Sequence, residues 1–386
     1  MASHKPITVA FCIPNMIIGG VETVLKTTID ALLQQKNVQV VIITHAKIRQ
    51  PLYVKWLASH PEIPVRVYYP LQNWFEDLVP YCRGVLKPVR KVCFSLYKKY
   101  HRMLANIFNR FSDIDVFIDY KNFEFFKEFK NIRKPKIAWV HSAMSHCEKN
   151  NLFSRLSVYN RLVCITDEFL NEFKIKYASR ANDALRIYNP VNPDEIQKLA
   201  LQGPRSSERY FCHVSRLTNG KDLKTVFDAF DTFAANHDDI KLFVIGDGPD
   251  APALKTYAGT LKSAARIVFF GALDNPFGLM QGALANILSS LHEGFGMVLA
   301  ESMALSSLVI SSDYKCGATE ILENGQNGFV FDIGNSAQLA QCMSDAICVE
   351  KKEQIIARAY KSLSRFSVQQ TTKQIINLLQ SVGGNK

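Results

Sequence analysis

Two carboxylates bracket a glycine turn in the run Ser-Ser-Leu-His-Glu-Gly-Phe-Gly-Met-Val-Leu-Ala-Glu-Ser-Met at 289–303. Ala285-Asn-Ile-Leu288 before it reads as a short buried strand. Gly294 and Gly296 permit a tight turn and close backbone approach, and the unpaired N–H groups of Met297 and Val298 would open a helix. A helix start of this kind favours an anion such as a diphosphate. Glu293 would stand in the loop and Glu301 about one turn into the helix, so both could accept hydroxyls from one ligand. The plain alternative is a strand–turn–helix whose glutamates are simply solvated.

A second set follows the expected strand at 210–215: Ser215-Arg-Leu-Thr-Asn-Gly-Lys-Asp222. Arg216 at a strand end and Lys221 at a helix start could both reach one diphosphate, supplying charge and donors without a metal. Such a pair is also common as solvated loop charge. Gly19-Gly20-Val21-Glu22 lies between the first strand and the first helix, where a glycine pair either admits a phosphate or only makes a tight connection. It is not a Gly-x-Gly-x-x-Gly fingerprint. His141, in Trp-Val-His-Ser, ends another strand and could be a ligand contact or a structural histidine.

The string Glu293-Gly-Phe-Gly296, a hydrophobic triplet and Glu301 resembles the donor-site signature of the retaining glycosyltransferases of family 4. Arg216-Leu217 followed by Lys221-Asp222 resembles that family's second hallmark. The resemblance implies the GT-B fold, α/β with two doubly wound Rossmann-like domains facing a central cleft. It implies that Glu293 lies beside the transferred sugar, that Glu301 holds the ribose, and that Arg216 and Lys221 bind the phosphates. Gly19 and Gly20 resemble the family's N-terminal glycine loop, and a histidine placed like His141 contacts the donor sugar there. Phe270, Gly271 and Ala272 occupy the place where the family's backbone holds the base, while Gly246-Asp-Gly-Pro249 resembles a structural turn and Gly317-Ala-Thr-Glu-Ile-Leu322 the closing segment. The likeness runs through the C-terminal half and touches the N-terminal half only at the glycine loop and His141. Ser306-Ser307 and Tyr314-Lys315-Cys316 depart from the pattern and leave sugar specificity open.

These residues need strands to carry them. Short β-branched runs alternate with helical stretches, which argues for parallel βα units. Strands are expected over 7–13, 38–44, 65–69, 115–119, 136–141, 161–166 and 185–188, and again over 210–215, 241–245, 267–270, 285–289, 308–311 and 329–331, with clear helices at 21–35 and 167–177. In open α/β sheets ligands bind at the carboxyl ends of strands, where the polar residues above fall. At 386 residues and 47 % hydrophobic the chain suits two domains, expected as 1–190 for the acceptor and 191–386 for the nucleotide-sugar donor, with the C-terminal helix returning to the first. The polar stretch 201–209 is the linker candidate.

The net charge of +11 is uneven: residues 1–190 carry +13 and residues 191–386 carry −2. Segment 83–110 holds Arg83, Lys87, Arg90, Lys91, Lys98, Lys99, Arg102 and Arg110 and no acid, interleaved with Val85, Leu86, Phe94, Leu96, Tyr97, Leu104, Ile107 and Phe108. A basic amphipathic helix of this kind lies on an anionic membrane. A nucleic-acid surface and a solvated face over a buried apolar stripe are the competing readings. No apolar run is long enough to span a bilayer, and the stretch 7–18, broken by Pro14 and Asn15, reads as a strand rather than a signal peptide. Nine scattered cysteines without a Cys-x-x-Cys pair suit a reducing cytosol. Asp113-Ile-Asp115 formally matches a metal-binding Asp-x-Asp but opens a strand, and no Cys/His cluster has zinc spacing, so neither metal nor other cofactor is expected.

The expectation is therefore a glycosyltransferase moving a hexose or N-acetylhexosamine from a nucleotide diphosphate sugar, UDP-linked, to a saccharide acceptor such as a lipid-linked glycan, lipopolysaccharide or capsule. It would work in the cytoplasm, peripheral on the inner face of the cytoplasmic membrane, with no nucleic acid as partner. A nucleotide-sugar epimerase or glycogen-type glucosyltransferase would share the fold. A non-enzymatic binder of membrane or nucleic acid through the basic segment is the alternative from another class.

Overall fold

The computed structural model describes residues 5–17, 19–77, 86–107, 111–314, 317–348, 350 and 352–383. Ile18, Cys82, Arg83, Val85, Phe108, Arg110, Lys315 and Cys316 lie outside the described residues, as do the side chains of Leu86, Leu104 and Ile107.

Every strand expected from the hydrophobic runs forms, and all named strands pair in parallel. The first seven are β1 (Ile7–Cys12), β2 (Val38–Thr44), β3 (Val65–Val67), β4 (Val116–Asp119), β5 (Lys136–Val140), β6 (Arg161–Cys164) and β7 (Ala184–Arg186), arranged 3-2-1-4-5-6-7. Val9, Ala10, Phe11 and Cys12 are wholly buried, as a parallel strand covered on both faces must be, which explains why β1 reads as a continuous apolar run. Helix α1 (Gly20–Leu33) follows β1 directly, and the basic segment forms α2 (Leu86–Ile107).

The second sheet has β8 (Arg209–Val214), β9 (Ile240–Ile245), β10 (Ile267–Gly271), β11 (Asn286–Leu288), β12 (Val309–Ser312) and β13 (Phe329–Phe331), in the order 10-9-8-11-12-13. Helix α3 (Leu223–Ala234) presents Leu223, Val226, Phe227, Phe230 and Phe233 at helical spacing, and buries them in a core shared with Phe211, Leu242 and Ile287. Helix α4 (Met297–Ala304) follows the glycine turn, and α5 (Ser336–Cys348) packs beside α3.

The chain divides into two compact units, but not at one point in the sequence. Unit 1 comprises residues 1–165, 173–187 and 368–386; unit 2 comprises 166–172 and 188–367. The stretch 201–209, expected as the linker, lies inside unit 2, where Leu201 and Gln202 finish a helix and Arg209 opens β8. The last helix, α6 (Val368–Gly383), belongs to unit 1 and packs on α1, β1 and β4.

Each sheet reverses its strand order once, between β1 and β4 in unit 1 and between β8 and β11 in unit 2. The carboxyl ends at such a reversal leave a crevice that no crossover connection covers.

Candidate active site

The crevice of unit 2 gathers the residues that the sequence singled out. The loop after β8 carries Arg216 and Lys221, and the loop after β11 carries Glu293. Lys221 Nζ donates to Glu293 Oε1, which also accepts from Ser290 Oγ at 2.7 Å. The two loops are joined by backbone as well: Leu291 N–H donates to Gly220 O at 2.9 Å, and Ser289 Oγ donates to Lys221 O at 2.6 Å. Both partners of the ion pair are about one-fifth exposed, so the pair meets solvent at the crevice floor. Arg216 is exposed beside it, while Leu217 is buried and anchors its loop.

The turn from Glu293 into α4 is fixed by its own backbone and by Tyr314. Gly296 has φ +92°, a conformation in which a side chain is strained, and a Cβ there would stand 2.0 Å from Tyr314 Oη. Tyr314, wholly buried, donates its hydroxyl to Phe295 O at 2.8 Å. Phe295 packs edge-on against Phe366, with ring centroids 5.3 Å apart. So Tyr314, read from the sequence only as a departure from the family pattern, is the prop that holds this turn. The α4 start then presents the N–H groups of Met297 and Val298, half-buried residues, and Gly294 precedes them in the turn.

Glu301 stands in the second turn of α4. Burial pushes its carboxyl up to about 7, and it has no hydrogen-bond partner among the described residues. A half-buried carboxylate that receives no donor from the described residues is suited to take ligand hydroxyls. His213, at the end of β8, is held neutral by burial, down at about 3, with the Lys221 charge acting in the same direction, and its Nε2 meets Ser215 Oγ at 2.9 Å.

Gly246, with φ +134°, lets the Gly-Asp-Gly-Pro turn press against the loop after β8, since a Cβ there would lie 1.8 Å from Ser215 O. That turn therefore supports the Arg216 loop. Its N–H donates to Gly271 O at 2.7 Å, tying in the irregular end of β10. Phe270, 38 % exposed, lies against Phe243 with centroids 4.9 Å apart, followed by exposed Ala272.

In unit 1, Gly19 and Gly20 follow β1 at the start of α1, and His141 follows β5. Gly19 is the N-cap of α1 and Gly20 its first residue. Glu22, in that first turn, is buried and accepts from Lys121 Nζ at 2.8 Å, and Lys121 follows β4 across the strand-order reversal. His141, after β5, donates its backbone N–H to Asn122 Oδ1 at 2.9 Å and packs its ring 4.7 Å from that of Tyr120. Burial, aided by the Lys121 charge, lowers its pKa to about 3, and neither ring nitrogen has a partner. A neutral buried imidazole with both nitrogens open is a ready contact for a hydroxylated ligand. Lys121 was not singled out in the sequence; the available signal was a charged residue just past the carboxyl end of a strand.

Asp113 and Asp115 are engaged elsewhere. Arg66 grips Asp113 through both oxygens, and Asp115 accepts from the Thr8 N–H at 3.0 Å. Among the described residues no three His, Cys, Asp or Glu side chains come together as a metal site.

The model of the family described as "Glycosyl transferases group 1" matches residues 194–362, which hold Arg216, Lys221, Glu293, Gly296, Glu301 and Tyr314. This segment belongs to the group 1 glycosyltransferases. The chain spans less than half the length of the first curated relatives it matches. Identity is 31 % over 159 residues with the lipopolysaccharide 1,6-galactosyltransferase of Salmonella typhimurium, covering 40 % of this chain and 43 % of that protein. It is 26 % over 179 residues with the N-acetylgalactosamine-N,N'-diacetylbacillosaminyl-diphospho-undecaprenol 4-alpha-N-acetylgalactosaminyltransferase of Campylobacter jejuni, covering 46 % and 47 %. The fold resemblance extends further than the group 1 segment. Anabaena HepE, solved with UDP and glucose, aligns over 97 % of this chain and 100 % of its own with a TM-score of 0.73 at 20 % identity. The chain has the GT-B fold, with two doubly wound Rossmann-like units.

Proposed function

We propose that the protein is a retaining glycosyltransferase of family 4 that moves a hexose or N-acetylhexosamine from a UDP-sugar to a saccharide acceptor of the lipid-linked glycan, lipopolysaccharide or capsule class. The observation that carries this reading is the cationic crevice of unit 2, where Lys221 and Arg216 flank a carboxylate and a helix start. Departure of a nucleoside diphosphate builds charge on its phosphates. Fixed cations and backbone N–H groups aimed at that charge lower the barrier, because they act where charge develops. In this reading Glu293 faces the transferred sugar and Glu301 accepts the ribose hydroxyls. Phe270 and Gly271 to Ala272 border the base. In unit 1, His141 offers its open ring nitrogens to a sugar hydroxyl and the Gly19–Gly20 turn offers a helix start to phosphate.

Same-face attack by the acceptor hydroxyl, with the departing phosphate taking its proton, suits a site whose carboxylate Glu293 is already committed to Lys221 and Ser290. Two similar proteins support the acceptor class by their names, one acting on lipopolysaccharide and the other on a diphospho-undecaprenol glycan. No metal takes part in this reading, and the protein works in the cytoplasm at the inner face of an anionic membrane, consistent with the +13 charge of residues 1–190.

A thermal-shift panel of nucleotides and nucleotide sugars tests the donor, since a ligand that binds only the native state raises its melting temperature. Stabilisation by UDP, followed by transfer from a radiolabelled UDP-sugar with the anomeric configuration kept, is the expected result. Stabilisation by no nucleotide, or an epimerised sugar in place of a transferred one, would overturn the proposal.

A further inference from the structure

Beyond the end of β4 a single side chain continues the first sheet. The β4–β5 ladder closes with Asp119 opposite Ala138, and His141 stands past the end of β5 at Val140. In a parallel pair, a residue facing one position donates its N–H to the carbonyl before that position and accepts, on its own carbonyl, the N–H after it. Asn122 meets Val140 in this way with one part exchanged. Its backbone N–H donates to Trp139 O at 3.2 Å, but the N–H of His141 is accepted at 2.9 Å by its side-chain Oδ1. The exchange follows from the backbone. A φ of +53° at Asn122, followed by +65° at Phe123, turns the main chain out of its extended path, and asparagine is among the few side chains that tolerate this region. The other end of the amide is engaged too, since Nδ2 donates to Ser142 Oγ at 2.8 Å. One residue thus grips the chain on both sides of the His141 α-carbon.

The grip is itself held in place. Asp119 Oδ2 accepts the Phe125 N–H at 2.8 Å and the Tyr159 hydroxyl at 2.6 Å, and wholly buried Phe123 packs edge-on against Tyr159 with centroids 5.3 Å apart. The His141 ring lies parallel to that of Trp139 at 6.3 Å and against Tyr120 at 4.7 Å. Both of its nitrogens are buried without a partner. Two unpaired polar atoms inside a protein cost free energy that an apolar residue at this position would avoid. So close a hold on the backbone beneath an unpaired imidazole suits a ligand contact better than packing.

We infer that Asn122 is the positioning residue of His141: its side chain extends the β4–β5 ladder by one rung and so aims the imidazole at the transferred sugar. The inference rests on the reading of His141 as a sugar contact and adds what fixes that contact. Both amide atoms of Asn122 are engaged by the chain around His141, so it acts through His141 and not on the ligand.

The test is a double-mutant cycle on the full chain. It is read as kcat and KM for UDP release, with water as acceptor, from whichever of UDP-glucose, UDP-galactose, UDP-N-acetylglucosamine and UDP-N-acetylgalactosamine the wild type cleaves fastest, with the UDP thermal shift alongside. Asn122→Gly removes the amide and adopts the left-handed backbone without strain. It should lower kcat roughly tenfold or more and leave the UDP shift unchanged, which separates lost positioning from lost folding. Asn122→Asp keeps an oxygen for the His141 N–H and should recover most of that rate. Asn122→Gly/His141→Ala should be no slower than His141→Ala, because a residue that acts through another adds nothing once the other is gone. If Asn122→Gly does not fold, Asn122→Ser, whose hydroxyl stops short of the Oδ1 position, takes its place in the cycle. Wild-type kcat in Asn122→Gly, or losses that add in the double variant, would overturn the positioning role while leaving His141 as a sugar contact. Wild-type kinetics in His141→Ala would overturn that contact and the inference with it. Cleavage of none of the four donors by the wild type would overturn the proposed function itself.

Discussion

The ammonium of Lys221 is paired with the carboxylate of Glu293, although the two lie 72 positions apart and on loops that follow different strands. The pair links the group assigned to the leaving phosphates with the one assigned to the transferred sugar. A diphosphate arriving at Lys221 must share or replace its carboxylate partner, so the position of Glu293 responds to occupancy of the phosphate subsite. Ser290 keeps one oxygen of Glu293 anchored during such an exchange.

Lys221→Ala should lower turnover by roughly a hundredfold, about 2.7 kcal/mol, because it removes a charged donor where charge builds in the transition state. Steady-state kinetics at saturating donor checks it. Near-normal turnover would remove Lys221 from the phosphate subsite.

Glu301 should make nucleotide binding depend on pH. Its carboxyl, raised to about 7, loses an acceptor oxygen when it takes up a proton. UDP affinity should then fall as pH drops through 7, and Glu301→Gln should flatten that dependence when both proteins are measured by calorimetry. The sign for stability is the reverse. A carboxyl whose folded pKa lies above its unfolded value binds more protons when folded, so its contribution is full at acid pH and is lost as pH rises through 7. An unchanged pH dependence in Glu301→Gln would assign it to the nucleotide phosphates.

Transfer should persist in excess EDTA, since Arg216 and Lys221 supply the positive charge that a divalent ion would bring. Asp113 and Asp115 are held by Arg66 and by the Thr8 N–H. Complete loss of activity on chelation, restored by Mn²⁺, would reverse this expectation.

Gly296→Ala should destabilise unit 2 by at least about 1–2 kcal/mol, the usual cost of a side chain at positive φ, with the clash at Tyr314 added. Tyr314→Phe combined with it should recover only part of the loss, because the backbone cost remains. Equilibrium denaturation of the single and double variants measures both parts, and a neutral Gly296→Ala would show that the turn can relax.

The strands were legible because parallel strands buried on both faces leave apolar runs, as at Val40–Ile43 and Leu242–Ile245. The positions of Arg216, Lys221 and Glu293 were legible too, since each follows such a run. Their direct pairing was not, because it depends on two loops of different strands meeting in space. Tyr314 escaped notice for a related reason: its hydroxyl bonds a backbone oxygen 19 residues away, and nothing local announces that partner. Helix α2 was readable as basic and amphipathic, but not as leaving Val89, Val92, Leu96, Tyr100 and Met103 exposed. Its orientation is set by Tyr69 and Glu128, both distant in sequence, which reward the inward placement of Lys98 and Arg102.

The return of Val368–Gly383 to the first sheet has a consequence for synthesis. As the polypeptide leaves the ribosome, β1 and β4 must wait for a helix made after the whole of residues 188–367. Unit 2, though translated later, is therefore the first to have all its pieces. Until α6 emerges, the apolar surface of α1, β1 and β4 that it will cover stands open to water and to other chains. A nascent protein stalled before residue 368 would expose that surface beside a unit able to fold, which is the form most in need of a chaperone.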